Sequence, residues 1–146
     1  MVFHNILCPV DFDERSGAAL EMAVKLAVQN HARLHILNVA PIPLGAGELS
    51  PVPLDPYPAI EEAARVNLER FARERVSGRV TYETMVVSGE PATYILSAIR
   101  TLQIDLIVMG THCRKGVAHF LLGSVAERVV RESPVPVLAI PAPPVG

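Results

Sequence analysis

The sequence predicts an α/β fold, an open parallel sheet with helices on both of its faces. Short apolar runs alternate with amphipathic helical patterns along the 146 residues, in the order βαβαβαβαβ. The length suits a single domain, residues 1–146, with one apolar core. Half of the residues are hydrophobic and 19% are charged. This composition is typical of a buried parallel sheet, or of a surface hidden in an oligomer.

The amino-terminal half predicts two strands around one long helix. The helix should begin after an N-cap at Asp13 and end at Asn30, which tolerates the left-handed conformation. A proline-rich stretch with two glycines follows and is long for an ordinary connection, so we expect a functional flap or a mobile segment there. The predicted ranges are Phe3–Val10 for the first strand, Glu14–Asn30 for the helix, Leu34–Val39 for the second strand and Ala40–Pro58 for the flap.

The carboxyl-terminal half continues the alternation. A charged helix should end near Gly78, and Pro91 suits the first turn of the next helix because its missing N–H costs nothing there. The predicted elements are a helix at Ala59–Val76, a strand at Val80–Val87, a helix from Pro91 to Leu102, a strand at Asp105–Met109, a helix after Gly123-Ser124 and a strand at Val135–Ile140.

The last strand has one edge that prolines cannot block completely. Pro134 and Pro136 are two residues apart, so both missing N–H donors lie along the same edge, and pairing there begins at Val137 or Leu138. An exposed apolar edge favours a second copy of itself. We therefore predict a homodimer through Val137–Ile140. The alternative is that the prolines that follow only protect an edge strand.

The stretch from Met109 to Ser124 places glycines and two adjacent cations, Arg114 and Lys115, between a strand and a helix. Backbone N–H groups at a helix start lack partners and carry a partial positive charge, so such loops bind anions. The alternative is an ordinary capping box, with Ser124 as the N-cap and Glu127 as its reciprocal partner. The local residues leave both interpretations open.

Charge and hydropathy exclude several classes of protein. A formal net charge of −2 does not suit a sequence-independent nucleic-acid binder. No apolar run is long enough to span a bilayer, and the amino end has no cationic region before an apolar one, so we expect a cytoplasmic protein. The two cysteines, Cys8 and Cys113, should be reduced thiols.

Catalytic and metal sites are weakly supported. Asp11, His112 and Ser124 are the residue types of a hydrolytic triad, but no G-x-S-x-G elbow is present, and we assign no catalytic residue. Cys8, His112 and Cys113 lack a fourth metal ligand, so we expect no dedicated metal site. Neighbouring His112 and Arg114 favour a lowered thiol pKa at Cys113, which suggests redox sensing, although an inert thiol is the simpler interpretation.

Four segments together resemble the universal stress protein family over essentially the whole chain. Nucleotide-binding members carry Gly-x-x-Gly-x9-Gly-Ser/Thr after the fourth strand, and Gly110, Cys113 and Gly123-Ser124 occupy those positions, with cysteine replacing one glycine. Ile6–Phe12 is similar to the family's opening strand, and Gly89-Glu90-Pro91 to its turn before the third helix. Gly123–Ile140 is similar to its carboxyl end.

The resemblance implies a Rossmann-like fold with strand order 3-2-1-4-5 and ATP, or a related adenine nucleotide with or without Mg²⁺, between the first and fourth strands. Val39 would contact the adenine, and Gly123, Ser124 and Val125 would hold the phosphates. The remaining positions implied are Pro9, Val10, Asp11, Met109, Gly110, His112 and Cys113. Asp11 also suits a turn, and Val39 also suits the core.

The function implied is that of a dimeric stress-response regulator that binds the nucleotide with little or no hydrolysis, because no evident base positions a water molecule. Two alternatives remain: a nucleotide-free interaction module whose site is blocked by Cys113, and a slow ATPase.

Overall fold

The computed structural model describes residues 1–40, 57–111 and 122–141. It confirms the alternation of strands and helices. The elements are β1 (Asn5–Pro9), α1 (Glu14–Asn30), β2 (Arg33–Ala40), α2 (Tyr57–Val76), β3 (Tyr82–Ser88), α3 (Pro91–Thr101), β4 (Leu106–Gly110), α4 (Ser124–Glu132) and β5 (Val137–Ile140). Residues 41–56 lie outside the described ranges, so the flap stays a prediction.

The five strands form one parallel sheet in the order β3-β2-β1-β4-β5, as expected. The chain runs outward from β1 to β3 and then returns to the other side of β1. β1 pairs with β2 as far as Pro9, but its pairing with β4 reaches only Leu7 opposite Ile107. The two central strands therefore separate toward their carboxyl ends, at the switch point where open α/β sheets bind ligands.

Two apolar layers cover the sheet, so the prediction of helices on both faces is confirmed. One layer lies under α1 and α2 and includes Cys8, Leu20 and Leu68. The other lies under α3 and α4 and includes Ile95, Met109 and Val129. The β2 strand contributes to both layers, which explains why nearly all of its residues are buried.

The α1 helix matches its predicted bounds and its Asp13 cap, but the residue predicted to take the left-handed conformation at its end is wrong. His31, with φ of 53°, takes the left-handed position instead of Asn30. The Asn30 side chain accepts a hydrogen bond from the Phe3 N–H at 3.1 Å and donates one to the Leu26 carbonyl at 2.8 Å. Because Asn30 is held by these contacts as the last helical residue, the reversal falls one residue later.

The last strand is shorter than predicted. Val135 is in a turn, where its N–H donates to the Ser133 hydroxyl at 3.1 Å, and regular pairing begins at Val137 opposite Ile107. Within the described ranges, no helix combines the length and the apolar character needed to cross a membrane.

Candidate functional site

A pocket opens where β1 and β4 separate, bounded by the first turns of α1, α3 and α4. Its volume is about 150 Å³, comparable to a cavity that takes up one aromatic ring. Seven of the residues predicted for the site line this pocket: Pro9, Val10, Asp11, Val39, Met109, Gly110 and Val125. Gly123 and Ser124 are not in its lining but begin α4 directly before Val125. His112 and Cys113 lie outside the described residues.

Seven more residues line the pocket that were not predicted to belong to a site. They are Asp13, Ser16, Leu37, Pro91, Ile95, Thr111 and Ala126. Two-residue spacing from Val39 identifies Leu37 as a neighbour on the same face of β2, and four-residue spacing links Pro91 with Ile95. No sequence signal identifies Ser16, whose position depends on the conformation of the turn before it.

The turn between β1 and α1 is closed by side-chain hydrogen bonds around Asp11. The Asp11 N–H donates to the Ser16 hydroxyl oxygen at 2.8 Å, and that hydroxyl donates to Asp11 Oδ1 at 2.6 Å. The Asp13 N–H also donates to Asp11 Oδ1, at 3.2 Å. Asp11 is therefore a turn residue that also lines the pocket.

Phe12 gives this turn an unusual backbone. Its φ is 72°, in the left-handed region, which costs a residue with a side chain roughly 1–2 kcal/mol. Its ring packs edge to face on Phe71 of α2, with centroids 5.8 Å apart, and the Arg75 guanidinium lies 3.7 Å from the centroid of the Phe71 ring. The aromatic contact between α2 and the turn offsets the backbone cost.

The β2 strand fixes the other side of the turn. The buried Asn38 amide donates to the Val10 carbonyl at 2.8 Å, and the Val10 N–H donates to the Leu37 carbonyl at 2.8 Å. These bonds hold the end of β1 against the strand that carries Val39. Two hydrogen bonds thus fix Val10, which lines the pocket, to β2.

Two of the three helix starts at the pocket are capped by side chains. Asp13 accepts from the Ser16 N–H at 2.9 Å at the start of α1. Glu90 accepts from the N–H groups of Ala92 and Thr93 at 3.2 and 2.8 Å at the start of α3. Hydrogen bonds from the hydroxyl and N–H of Thr93 lower the pKa of Glu90 to about 2.

The start of α4 is different. Its N-cap is Gly123, and no side chain in the described ranges caps it. The capping box considered from the sequence is wrong, because Ser124 is the first helical residue and Glu127 forms an ion pair with Arg131 at 2.6 Å instead of reaching back. The first-turn N–H groups of α4, beside Val125 and Ala126 in the pocket wall, thus have no side-chain acceptor there.

The walls of the pocket consequently differ in polarity. Carboxylates of Asp11 and Asp13 line it at the start of α1 and can accept hydrogen bonds from hydroxyl or amino groups. The N–H groups and positive dipole end of α4, beside Val125 and Ala126 in the lining, favour an anion. The remaining walls are mainly apolar, with Val39, Ile95 and Met109.

Cys8 belongs to the core and not to the site. Its side chain is fully buried in the layer under α1 and α2, and burial raises the pKa of its thiol. Cys8 does not line the pocket and is surrounded by apolar side chains.

Known proteins with this architecture share sequence along nearly the whole chain. A universal stress protein of Thermus aquaticus, encoded in the 3′ region of QAH/OAS sulfhydrylase, is 32% identical over 145 residues, which cover 95% of this chain and 99% of that protein. The crystal structure of a universal stress protein family member from Burkholderia pseudomallei is 32% identical, with a TM-score of 0.72, over 94% of this chain and 96% of that one.

Two structures with this fold contain adenine nucleotides. One is a universal stress protein in complex with cAMP, 22% identical with a TM-score of 0.72 over 98% of this chain and 100% of that one. The other, from Archaeoglobus fulgidus, is in complex with dAMP and is 21% identical, with a TM-score of 0.66 over 96% of this chain and 99% of that one. The model of the universal stress protein family matches residues 3–141, and this chain belongs to that family.

Proposed function

We propose that the pocket binds an adenine nucleotide, ATP or a close relative. The observation that carries the proposal is the start of α4 beside an apolar pocket at the switch point of the sheet, where no side chain of the described residues caps the N–H groups. In this arrangement Gly123, Ser124 and Val125 hold the phosphates. The glycine at the cap lets the phosphates approach the backbone closely.

The rest of the nucleotide occupies the apolar part of the pocket. A volume of about 150 Å³ suits an aromatic ring system, and Val39, Ile95 and Met109 supply apolar surfaces on three elements. Asp11 at the α1 end repels phosphate and accepts hydrogen bonds from donors on the sugar or base. The complexes of two proteins of this fold with cAMP and dAMP support adenine as the base.

Isothermal titration of the purified protein with ATP and Mg²⁺ tests the proposal. We expect saturable binding, and no heat at millimolar ATP would overturn it. Val39→Trp should abolish binding because the indole fills the pocket. Val66→Trp is the matched control, since Val66 is half exposed on α2 and does not line the pocket; this variant should bind as the wild type does.

We further propose a homodimer through β5. This strand is at one edge of the sheet and pairs with β4 on one side, and Leu138 on it is 37% exposed. Backbone pairing with a second β5 would satisfy the edge and cover this side chain. Sedimentation should show a dimer in the wild type and a monomer in Leu138→Lys, and a monomer mass at every wild-type concentration would refute the dimer.

The proposed role is regulatory, with nucleotide occupancy as the signal and little or no hydrolysis. Mass spectrometry of the denatured protein's supernatant should detect a co-purified adenine nucleotide. If Cys113 instead blocks the site, no nucleotide will co-purify and Cys113→Gly will gain ATP affinity. Phosphate release well above background, lost in Ser124→Ala or Asp11→Ala, would show an ATPase instead.

A further inference from the structure

We infer that Ser16 is a positioning residue for the nucleotide, acting through the carboxylate of Asp11. The inference rests on the proposed nucleotide site and adds to it a residue that need not touch the ligand. Ser16 is in the first turn of α1, is 5% exposed and lines the pocket behind Asp11.

The Ser16 hydroxyl makes two hydrogen bonds to one residue. It accepts from the Asp11 N–H at 2.8 Å and donates to Asp11 Oδ1 at 2.6 Å. The first bond fixes the backbone of the turn, and the second fixes the carboxylate on that backbone. A hydroxyl is suited to this pair because it both donates and accepts, whereas alanine at this position removes both bonds.

The surroundings leave the hydroxyl little freedom to move. The Ser16 N–H is held by Asp13 Oδ1 at 2.9 Å, and the intervening Phe12 is fixed against Phe71 of α2. Ser16 therefore presents its oxygen from a rigid helix start, and together with the Asp13 N–H, which donates to the same Asp11 Oδ1 at 3.2 Å, it orients the carboxylate. Loss of the Ser16 bond would leave this exposed carboxylate with fewer restraints, and the ligand would lose affinity in selecting one rotamer.

A double-mutant cycle on the full-length protein tests the inference, with ATP and Mg²⁺ as the probe. Ser16→Ala should weaken binding about five-fold, the factor that corresponds to about one ordinary hydrogen bond. Asp11→Ala should weaken it at least as much, and Ser16→Ala should have no further effect in the Asp11→Ala background. Ser16→Ala should weaken AMP binding by the same factor as ATP binding, because in the proposed arrangement Asp11 bonds to the sugar or base and α4 holds the phosphates.

The cycle separates positioning from simple support of the turn. The bond from the Asp11 N–H to Ser16 survives in Asp11→Ala, so a purely structural role would still cost affinity when Ser16 is replaced in that background. Additive losses would therefore overturn the inference, as would a Ser16→Ala protein that binds as the wild type does. If the wild type itself does not bind ATP, the proposed function fails and this inference fails with it.

Ser133→Ala is the matched control. The Ser133 hydroxyl also bonds to both the N–H and the carbonyl of one nearby residue, Val135, at 3.1 and 2.7 Å. It does so after the carboxyl end of α4, outside the pocket. This variant should lower the melting temperature as Ser16→Ala does while leaving ATP affinity unchanged, and an equal loss of affinity in both variants would contradict a specific role for Ser16.

Discussion

Replacing Phe12 with glycine and with alanine should give an unusual order of stability. Both substitutions remove the ring that packs edge to face on Phe71. The lost packing should cost about 2 kcal/mol, roughly half of the value for a fully buried phenylalanine, because Phe12 is partly buried. The two variants share this loss and differ in the backbone.

The φ of 72° at position 12 determines which of the two variants is more stable. Alanine retains the left-handed cost of about 1–2 kcal/mol, whereas glycine does not. Glycine in turn loses about 0.4–1 kcal/mol through the greater freedom of the unfolded chain. The difference leaves Phe12→Gly more stable than Phe12→Ala by about 1 kcal/mol, or about 2–4 °C in melting temperature for a chain of this length.

Thermal unfolding followed by circular dichroism measures the difference. Lys25, exposed in the middle of α1, supplies the control pair, because glycine there should be less stable than alanine by about 1 kcal/mol. The prediction is that the glycine variant is more stable than the alanine variant at position 12 and less stable at position 25. If Phe12→Gly melts at or below Phe12→Ala while the Lys25 pair behaves normally, the left-handed turn is refuted.

Three further predictions concern stability. Gly89→Ala should cost about 1–3 kcal/mol, more than Gly78→Ala. Both glycines have positive φ, 147° and 71°, but a Cβ at Gly89 would lie 2.3 Å from Tyr94 Cε2, whereas nothing lies within 4 Å of a Cβ at Gly78; equal melting temperatures would contradict this. Burial lowers the pKa of His35 below its ordinary 6.5, so urea titrations should show stability falling as pH drops below 6.5 and a flatter profile in His35→Leu. The pKa of Glu90 is lowered from 4.5 to about 2, so its contribution to the free energy of unfolding should be complete above pH 4.5 and disappear as pH falls to 2. A Glu90→Gln variant that loses as much stability between pH 4.5 and 2 as the wild type does would refute this.

The elements that the sequence predicted well are those fixed by local chemistry. The bounds of α1 follow from an aspartate cap and a regular apolar spacing, and both are local properties. The parallel sheet follows from the alternation of elements, and the strand order from the family resemblance. Pocket residues at strand ends, such as Pro9 and Met109, were implied by the family resemblance, and their positions agree with the rule that parallel strands bring their carboxyl ends to one edge.

The errors occur where a distant contact decides a local choice. Asn30 suits a left-handed stop, but the N–H of Phe3, far away in sequence, occupies its side chain and His31 takes the position. Phenylalanine is disfavoured at positive φ, and only the ring of Phe71 on α2 explains its presence there. Ser16 was missed for the same reason, since its role depends on a turn whose conformation the local sequence does not specify.

The start of α4 shows how a shift of one residue changes the function that a sequence predicts. With Ser124 as the cap, its side chain would close the helix start, whereas with Gly123 as the cap no side chain in the described part of the chain closes it. Gly123 has φ of −62° and ψ of 162°, which any residue adopts, so Gly123→Asp should close the start without strain. Because aspartate caps better than glycine by only a few tenths of a kcal/mol, the variant should be slightly more stable than the wild type.

Its ATP affinity should nevertheless fall, since the new carboxylate competes with phosphate for the same N–H groups and repels it. Gly123→Asn separates the two effects, because the amide caps the helix without adding charge. We expect affinity to decrease from wild type to Gly123→Asn to Gly123→Asp while thermal stability does not decrease. Calorimetry on the three proteins measures both quantities, and an unchanged affinity in Gly123→Asp would show that phosphate is not held at α4. Stability and affinity that change in opposite directions are the signature of a helix start left open for a ligand.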